Sequence, residues 1–158
     1  MFKNVFRRFM LVAIIFGLFM PGQIFASESE SEAKTIPAPT DISLFTTFDP
    51  SFKYLSNGTS YITVSDGKIS MRGETYAVEG VDKIGVQLTL QRWTGSTWID
   101  VYTGASKEES KIDYVYQANI NISAQSGYYY RIKGYYWIKK GTVQESGTRY
   151  SSSELVTQ

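Results

Sequence analysis

The segment Tyr128 to Lys139 alternates two kinds of side chain. Tyr128, Tyr130, Ile132, Gly134, Tyr136 and Ile138 are uncharged, whereas Tyr129, Arg131, Lys133, Tyr135, Trp137 and Lys139 mix aromatic rings with cations. Successive side chains of an extended strand point to opposite faces, so the first set belongs inside and the second outside. Tyr and Trp rings flanked by Arg and Lys can stack on sugar rings while the cations neutralise an anionic polymer. Tyr129, Arg131, Lys133, Tyr135, Trp137 and Lys139 are therefore the candidate binding residues, for a cell-wall glycopolymer or another secreted protein. The same alternation also suits an ordinary outward sheet face, on which side chains support one another across strands by about 0.2–1 kcal/mol per pair.

Catalytic chemistry has less to stand on. The chain contains no His and no Cys, which removes most hydrolytic triads, thiol nucleophiles and zinc sites, since these need a group titrating near neutrality or a soft ligand. Carboxylate pairs, tyrosines or a Ser-Lys dyad remain. Glu74, Glu79, Asp82 and Asp100 would have to converge at one end of the fold to act as a glycosidase pair. With 15 acidic residues in the chain, solvated surface charge is the simpler reading. Asp66, Glu79 and Asp82 lack the spacing of a calcium loop, and no phosphate-binding Gly-x-x-x-x-Gly-Lys occurs. Asn57-Gly58-Thr59 and Asn121-Ile122-Ser123 match the glycosylation pattern and read as turn and strand residues. No catalytic residue, metal or cofactor is expected.

The elements that would position these residues are strands. Lys83 onward alternates Ile84, Val86, Leu88 and Leu90 against Gly85, Gln87, Thr89 and Gln91. Ile112, Tyr114, Tyr116, Ala118, Ile120 and Ile122 alternate with Asp113, Val115, Gln117, Asn119 and Asn121, a half-buried strand whose apolar set is expected to face inward. Asp66-Gly67 between Tyr61-Ile62-Thr63-Val64 and Ile69-Ser70-Met71 predicts a hairpin with a type I′ turn. Thr94-Gly95-Ser96 before Trp98 predicts a second hairpin, and Lys140-Gly141 a third. Trp93 and Trp98 are expected in the core, and Tyr128 or Tyr130 at a tyrosine corner. About seven strands with short connections predict an all-β fold, a single immunoglobulin-like (fibronectin type III-like) antiparallel β-sandwich, ahead of a small barrel.

The N-terminal segment differs in kind. Lys3, Arg7 and Arg8 precede the apolar run Phe9 to Met20, the breakers Pro21-Gly22 and the sequence Ile24-Phe25-Ala26, the order of a secretory signal peptide with cleavage between Ala26 and Ser27. The run is shorter than the roughly 20 apolar residues of a membrane span. Residues 1–26 are therefore read as a signal-peptide helix, 27–40 as a flexible acidic and Pro-containing leader, and 41–158 as the sandwich domain. Three of the 16 basic residues lie in the signal and none of the 15 acidic ones, which leaves a net charge of −2. Such a chain lacks the electrostatic footprint of nucleic acid binding. With no Cys for lipidation and no apolar C-terminal tail, the product is expected outside the cell, held to the cell wall only by contact.

Gly127-Tyr128-Tyr129-Tyr130-Arg131-Ile132-Lys133-Gly134, followed by Glu145-Ser146, resembles the last two strands of fibronectin type III domains. Val81-Asp82-Lys83-Ile84-Gly85-Val86, Leu90-Gln91-Arg92-Trp93, Gly95, Trp98 and that hairpin are together similar to an uncharacterised family of small exported proteins of Gram-positive bacteria, over roughly Lys68 to Leu155. The resemblance implies a fold and a compartment, with no activity attached. Members of that family tend to carry a histidine near Tyr136 or Trp137, and this chain has none. The expected function is that of a non-catalytic exported binding module. A self-associating matrix protein, whose exposed edge strands pair between copies, is the alternative, with a carboxylate-based secreted enzyme or an inhibitor behind it.

Overall fold

A computed structural model describes residues 33–40 and 48–157. The expected signal helix, the Ala26–Ser27 cleavage point and the leader through residue 32 lie outside the described residues. Nine strands follow in order: β1 (Leu55–Ser65), β2 (Lys68–Val81), β3 (Lys83–Trp93), β4 (Trp98–Thr103), β5 (Lys107–Glu109), β6 (Ile112–Ser123), β7 (Tyr129–Lys140), β8 (Val143–Tyr150) and β9 (Glu154–Leu155). One antiparallel sheet has the order β1-β2-β6, and the other β4-β3-β7-β8, with β5 added to β3 and β9 to β7. The seven longer strands are the sandwich expected from the alternation; β5 and β9, of three and two residues, are additions to the second sheet.

Local chemistry places the turns. Asp66 and Gly67 have φ of 51° and 67°, the two left-handed residues of a type I′ turn between β1 and β2. Gly95 at φ 96° and Gly141 at φ 57° turn the β3–β4 and β7–β8 hairpins. Asp82 alone separates β2 from β3, so the chain passes from one sheet to the other at a sharp corner.

The interior is formed by Ile69 and Met71 of β2, Ile84, Val86, Leu88 and Leu90 of β3, and Ile132, Tyr136 and Ile138 of β7. Each such side chain taken out of water stabilises the fold by about 1.5–3 kcal/mol. Burial pushes the Tyr136 phenol up to about 12. Tyr130 makes the corner: its hydroxyl accepts the Gln125 N–H at 2.9 Å and bonds the Gln125 carbonyl at 3.4 Å.

Side chains lace the open sides of the sandwich. The buried Glu145 carboxylate accepts the N–H groups of Lys53, Tyr54 and Leu55 at 2.6, 2.9 and 2.7 Å. Burial alone would raise its pKa, but those three donors outweigh it and hold the group below the ordinary value. Arg149 on the same strand donates to Asn57 Oδ1 and to the Gly58 carbonyl, so β8 and the start of β1 close against each other. On the opposite side Gln117 Nε2 donates to the Ala105 carbonyl. Thr75 Oγ1 crosses between the sheets to the Gly85 carbonyl at 2.9 Å.

Two expectations are corrected. In β6 the inward residues are Val115, Gln117 and Asn119, and the apolar set Ile112, Tyr116 and Ile120 faces out. Directly paired residues of neighbouring strands share a face, and β2 commits Ile69, Met71, Gly73 and Thr75 to the interior. Thr75 pairs with Val115, Gly73 with Gln117 and Met71 with Asn119, so β6 must follow. A bulge at Asn121, φ 58°, then turns Ile122 toward the core. Trp93 is buried, 6% exposed, but lies apart from the main core cluster, and Trp98 is only half-buried; the two rings tilt against each other at 5.4 Å across the β3–β4 hairpin.

Of the expected leader, residues 33–40 lie along the domain. Lys34 donates its backbone N–H to the Gly127 carbonyl at 2.7 Å. Its ammonium sits 5.6 Å from the centre of the Tyr128 ring.

Candidate functional site

β7 is an interior strand of its sheet, between β3 and β8, and its faces divide as the alternation predicts. The six candidate residues share the outer face, but the structure treats them differently. Tyr129 is half-buried where β7 meets Leu155 of β9. Arg131 is enclosed, 8% exposed, with its guanidinium 4.3 Å from the Trp98 ring and 4.1 Å from the Tyr150 ring. Its Nε donates to Gln91 Oε1 at 2.8 Å, and Gln91 in turn donates to Asp100 Oδ1 at 2.6 Å. Arg131 therefore holds strands β3, β4, β7 and β8 together rather than reaching solvent. Lys133 lies 3.6 Å from the Asp100 carboxylate, a loose ion pair between half-exposed groups.

Tyr135, Trp137 and Lys139 form the open part. The Tyr135 and Trp137 rings stack at 5.5 Å with 26° between their planes. Opposite Trp137 in register is Gly85, and a Cβ there would overlap the indole, so the ring packs directly against bare backbone. The indole N–H donates to Glu108 Oε2 at 3.2 Å, and Lys83 Nζ holds the other carboxylate oxygen at 2.6 Å. The Lys83 hydrogen bond and then the indole keep the Glu108 carboxyl below its ordinary value. Lys83 and Lys139 stand opposite each other in register, with Lys83 paired to Glu108 and Glu145 also on the lining. Together with Gln87, Ser106 and Gln144 these groups line an open groove of about 750 Å³. An indole whose ring nitrogen is satisfied, with a second ring stacked beside it and a polar rim, has the chemistry to take a pyranose ring.

Glu108 and Gly85 are the site residues that sequence reasoning passed over. Glu108 sits on a three-residue strand whose sequence carries no apolar alternation. Gly85 did leave a signal: an isolated glycine inside a strand marks a close approach by another group.

The outer face of the three-stranded sheet was not anticipated. There Glu74 accepts hydrogen bonds from the hydroxyls of Tyr76 at 2.9 Å, Tyr114 at 3.4 Å and Thr59 at 3.4 Å. The Tyr76 and Tyr114 rings lie 5.0 Å apart. The hydrogen bond to Glu74 raises the Tyr76 phenol, and burial followed by the Glu74 charge raises that of Tyr114. Tyr61 and Tyr116 extend the patch on either side through the pairs Tyr61–Arg72 and Glu74–Tyr116.

Of the remaining carboxylates, Glu79 and Asp82 both reach the Lys140–Gly141 turn, while Asp66 and Asp100 lie elsewhere. Asp66 and Glu79 stand at opposite ends of β2, with Glu79 held by Lys140 at 2.7 Å. Asp82 accepts the Gly141 N–H at 2.7 Å, and Asp100 belongs to the other sheet. Among the described residues no group of three metal-ligating side chains gathers, and no helix is long and apolar enough to cross a membrane. Comparison with protein-family models, curated proteins and solved structures gives no match for this chain.

Proposed function

We propose that this chain is an exported, non-catalytic binding module of the cell surface that takes a sugar-ring polymer on the outer face of its larger sheet. The observation that carries this reading is the Tyr135–Trp137 stack, packed against Gly85 and set in a groove beside Lys83 and Lys139. Stacking supplies area at low entropic cost, since an aromatic side chain has two rotatable bonds and the Trp137 indole is already oriented by Glu108. Lys83 is paired with Glu108, and Lys139 is the cation that suits a polymer bearing negative charge, such as a wall glycopolymer. The basic start, apolar run and Ala26 of the N-terminal segment support delivery to that compartment.

The test is cosedimentation of the purified protein with purified cell wall. Trp137→Ala and Tyr135→Ala should each lower the bound fraction by at least fivefold while the melting temperature moves by only a few degrees. Retention unchanged in both variants sinks the reading. So does equal retention on a wall preparation stripped of its glycopolymers.

A further inference from the structure

β6 closes the three-stranded sheet, and among the described residues its backbone pairs only with β2. A free strand edge offers a row of unpaired N–H and C=O groups, which proteins ordinarily blunt with Lys, Pro, bulges or brevity. β6 is 12 residues long and has no Lys, Arg, Glu or Pro; Asp113 is its single charge. Its outward side chains Ile112, Tyr116 and Ile120 are 41%, 44% and 68% exposed. Two irregularities interrupt the edge, the bulge at Asn121 and a register shift between Tyr114 and Ile112, and between them Tyr114 to Asn119 forms a regular stretch with Tyr116 near its middle.

We propose that this edge pairs with the same edge of a second copy, antiparallel and centred on Tyr116, joining two three-stranded sheets into one of six. The sequence of β6 is complementary to itself about that point. Ile112 meets Ile120 and Tyr114 meets Ala118 on the outer face; Asp113 meets Asn119 and Val115 meets Gln117 on the inner. No like charges are opposed, and an isologous contact of this kind closes as a dimer. A second copy suits the Ile112–Ile120 stretch better than a glycan does. Two isoleucines and an alanine offer sugar hydroxyls no hydrogen-bond partner, whereas another strand satisfies the backbone and covers the apolar row at once.

Because the two outer faces join edge to edge, the two-fold axis runs perpendicular to the sheet. Both Tyr135–Trp137 grooves then point the same way, away from the joined face. On the sugar-polymer reading this makes binding bivalent, and the second groove engages at high effective concentration. The pairing itself does not depend on that reading.

Sedimentation velocity of the purified protein over a dilution series, without polymer, should show a dimer that dissociates on dilution. Tyr116→Lys places two ammonium groups against each other on the axis and should yield monomer at every concentration. The chain has no Cys of its own, so Tyr116→Cys gives a second readout: paired strands bring the two Cα atoms to about 4.5–5.5 Å, within reach of a disulfide. Air oxidation should convert most of this variant to covalent dimer, while Tyr61→Cys, on the β1 edge of the same sheet, stays mostly monomeric. Wild-type protein that is monomeric throughout, Tyr116→Lys that remains dimeric, or Tyr61→Cys that crosslinks as readily as Tyr116→Cys would each overturn the pairing. Loss of wall retention without loss of the dimer would instead strike the groove and leave this interface standing.

Discussion

The two outer faces of this sandwich are both rich in tyrosine, yet they are organised by opposite means. On the larger sheet most of the strongly polar groups near the aromatics have a partner on another strand: Arg131 between Trp98 and Tyr150, Lys133 toward Asp100, Glu108 between Lys83 and the Trp137 indole. The rings there are held in one orientation, and a groove is left open beside them. On the smaller sheet a single carboxylate, Glu74, gathers three hydroxyls, and the sheet ends on β6, whose outward side chains Ile112, Tyr116 and Ile120 are exposed and whose outer edge is unpaired among the described residues. The lesson is that aromatic content does not distinguish a ligand platform from an assembly surface. What distinguishes them is whether the surrounding polar groups fix the rings or leave them to be covered.

The sharpest way to break this contrast is at Arg131. If it is a structural cation, Arg131→Ala should cost about 2–4 kcal/mol, through two lost cation–π contacts and an unpaired Gln91, and lower the melting temperature by roughly 10 °C. Arg72→Ala on the smaller sheet, an exposed position, should cost less than about 0.5 kcal/mol. Equal losses in thermal melts would erase the difference between the faces.

Gly85→Ala tests the platform alone. The added Cβ must push the indole off the sheet, so wall retention should fall nearly as far as in Trp137→Ala, with a stability change of about 1 kcal/mol. A crystal structure of the variant with the indole unmoved would count against the packing of Trp137 on Gly85.

The pH profile of binding sharpens the same point with a smaller effect. Glu108 has a folded pKa below its ordinary value of 4.5, so its hold on the indole is complete above that value and is lost as pH falls through the lowered folded value. Retention should therefore be flat from about pH 7 to about pH 5 and decline at more acid pH. Glu108→Gln should flatten the acid limb when both proteins are measured on the same wall preparation.

The smallest effect is expected at Glu74→Gln. Stability should move by less than about 0.5 kcal/mol and wall retention not at all. The Tyr76 phenol, raised by its hydrogen bond to Glu74, should titrate closer to its ordinary value of 10.0 in an ultraviolet pH titration. A loss of wall retention here would move the binding surface to the other sheet.

Much of the fold was legible because short-range rules govern it. The Asp66-Gly67 turn, the glycines at 95 and 141, the inward set of β3 and the two faces of β7 follow from backbone preference and period-two alternation. The candidate site was legible in part. Tyr135, Trp137 and Lys139 share an open surface, whereas Arg131, read from the same alternation, is closed in by Trp98 and Tyr150 from strands on either side. Those contacts join positions far apart in the chain, so no local pattern announces them.

The residues of this chain, taken by themselves, determine an all-β fold, the places where it turns, and the absence of histidine and cysteine side chains. The tertiary structure decides which face of β6 is buried, which cation of β7 is spent on stability, and which carboxylate orients Trp137. The physical reason is the same in all three. Alternation divides a strand into two faces but carries no sign; the sign comes from the strand it pairs with, and here β2 turns the more apolar face of β6 to the outside.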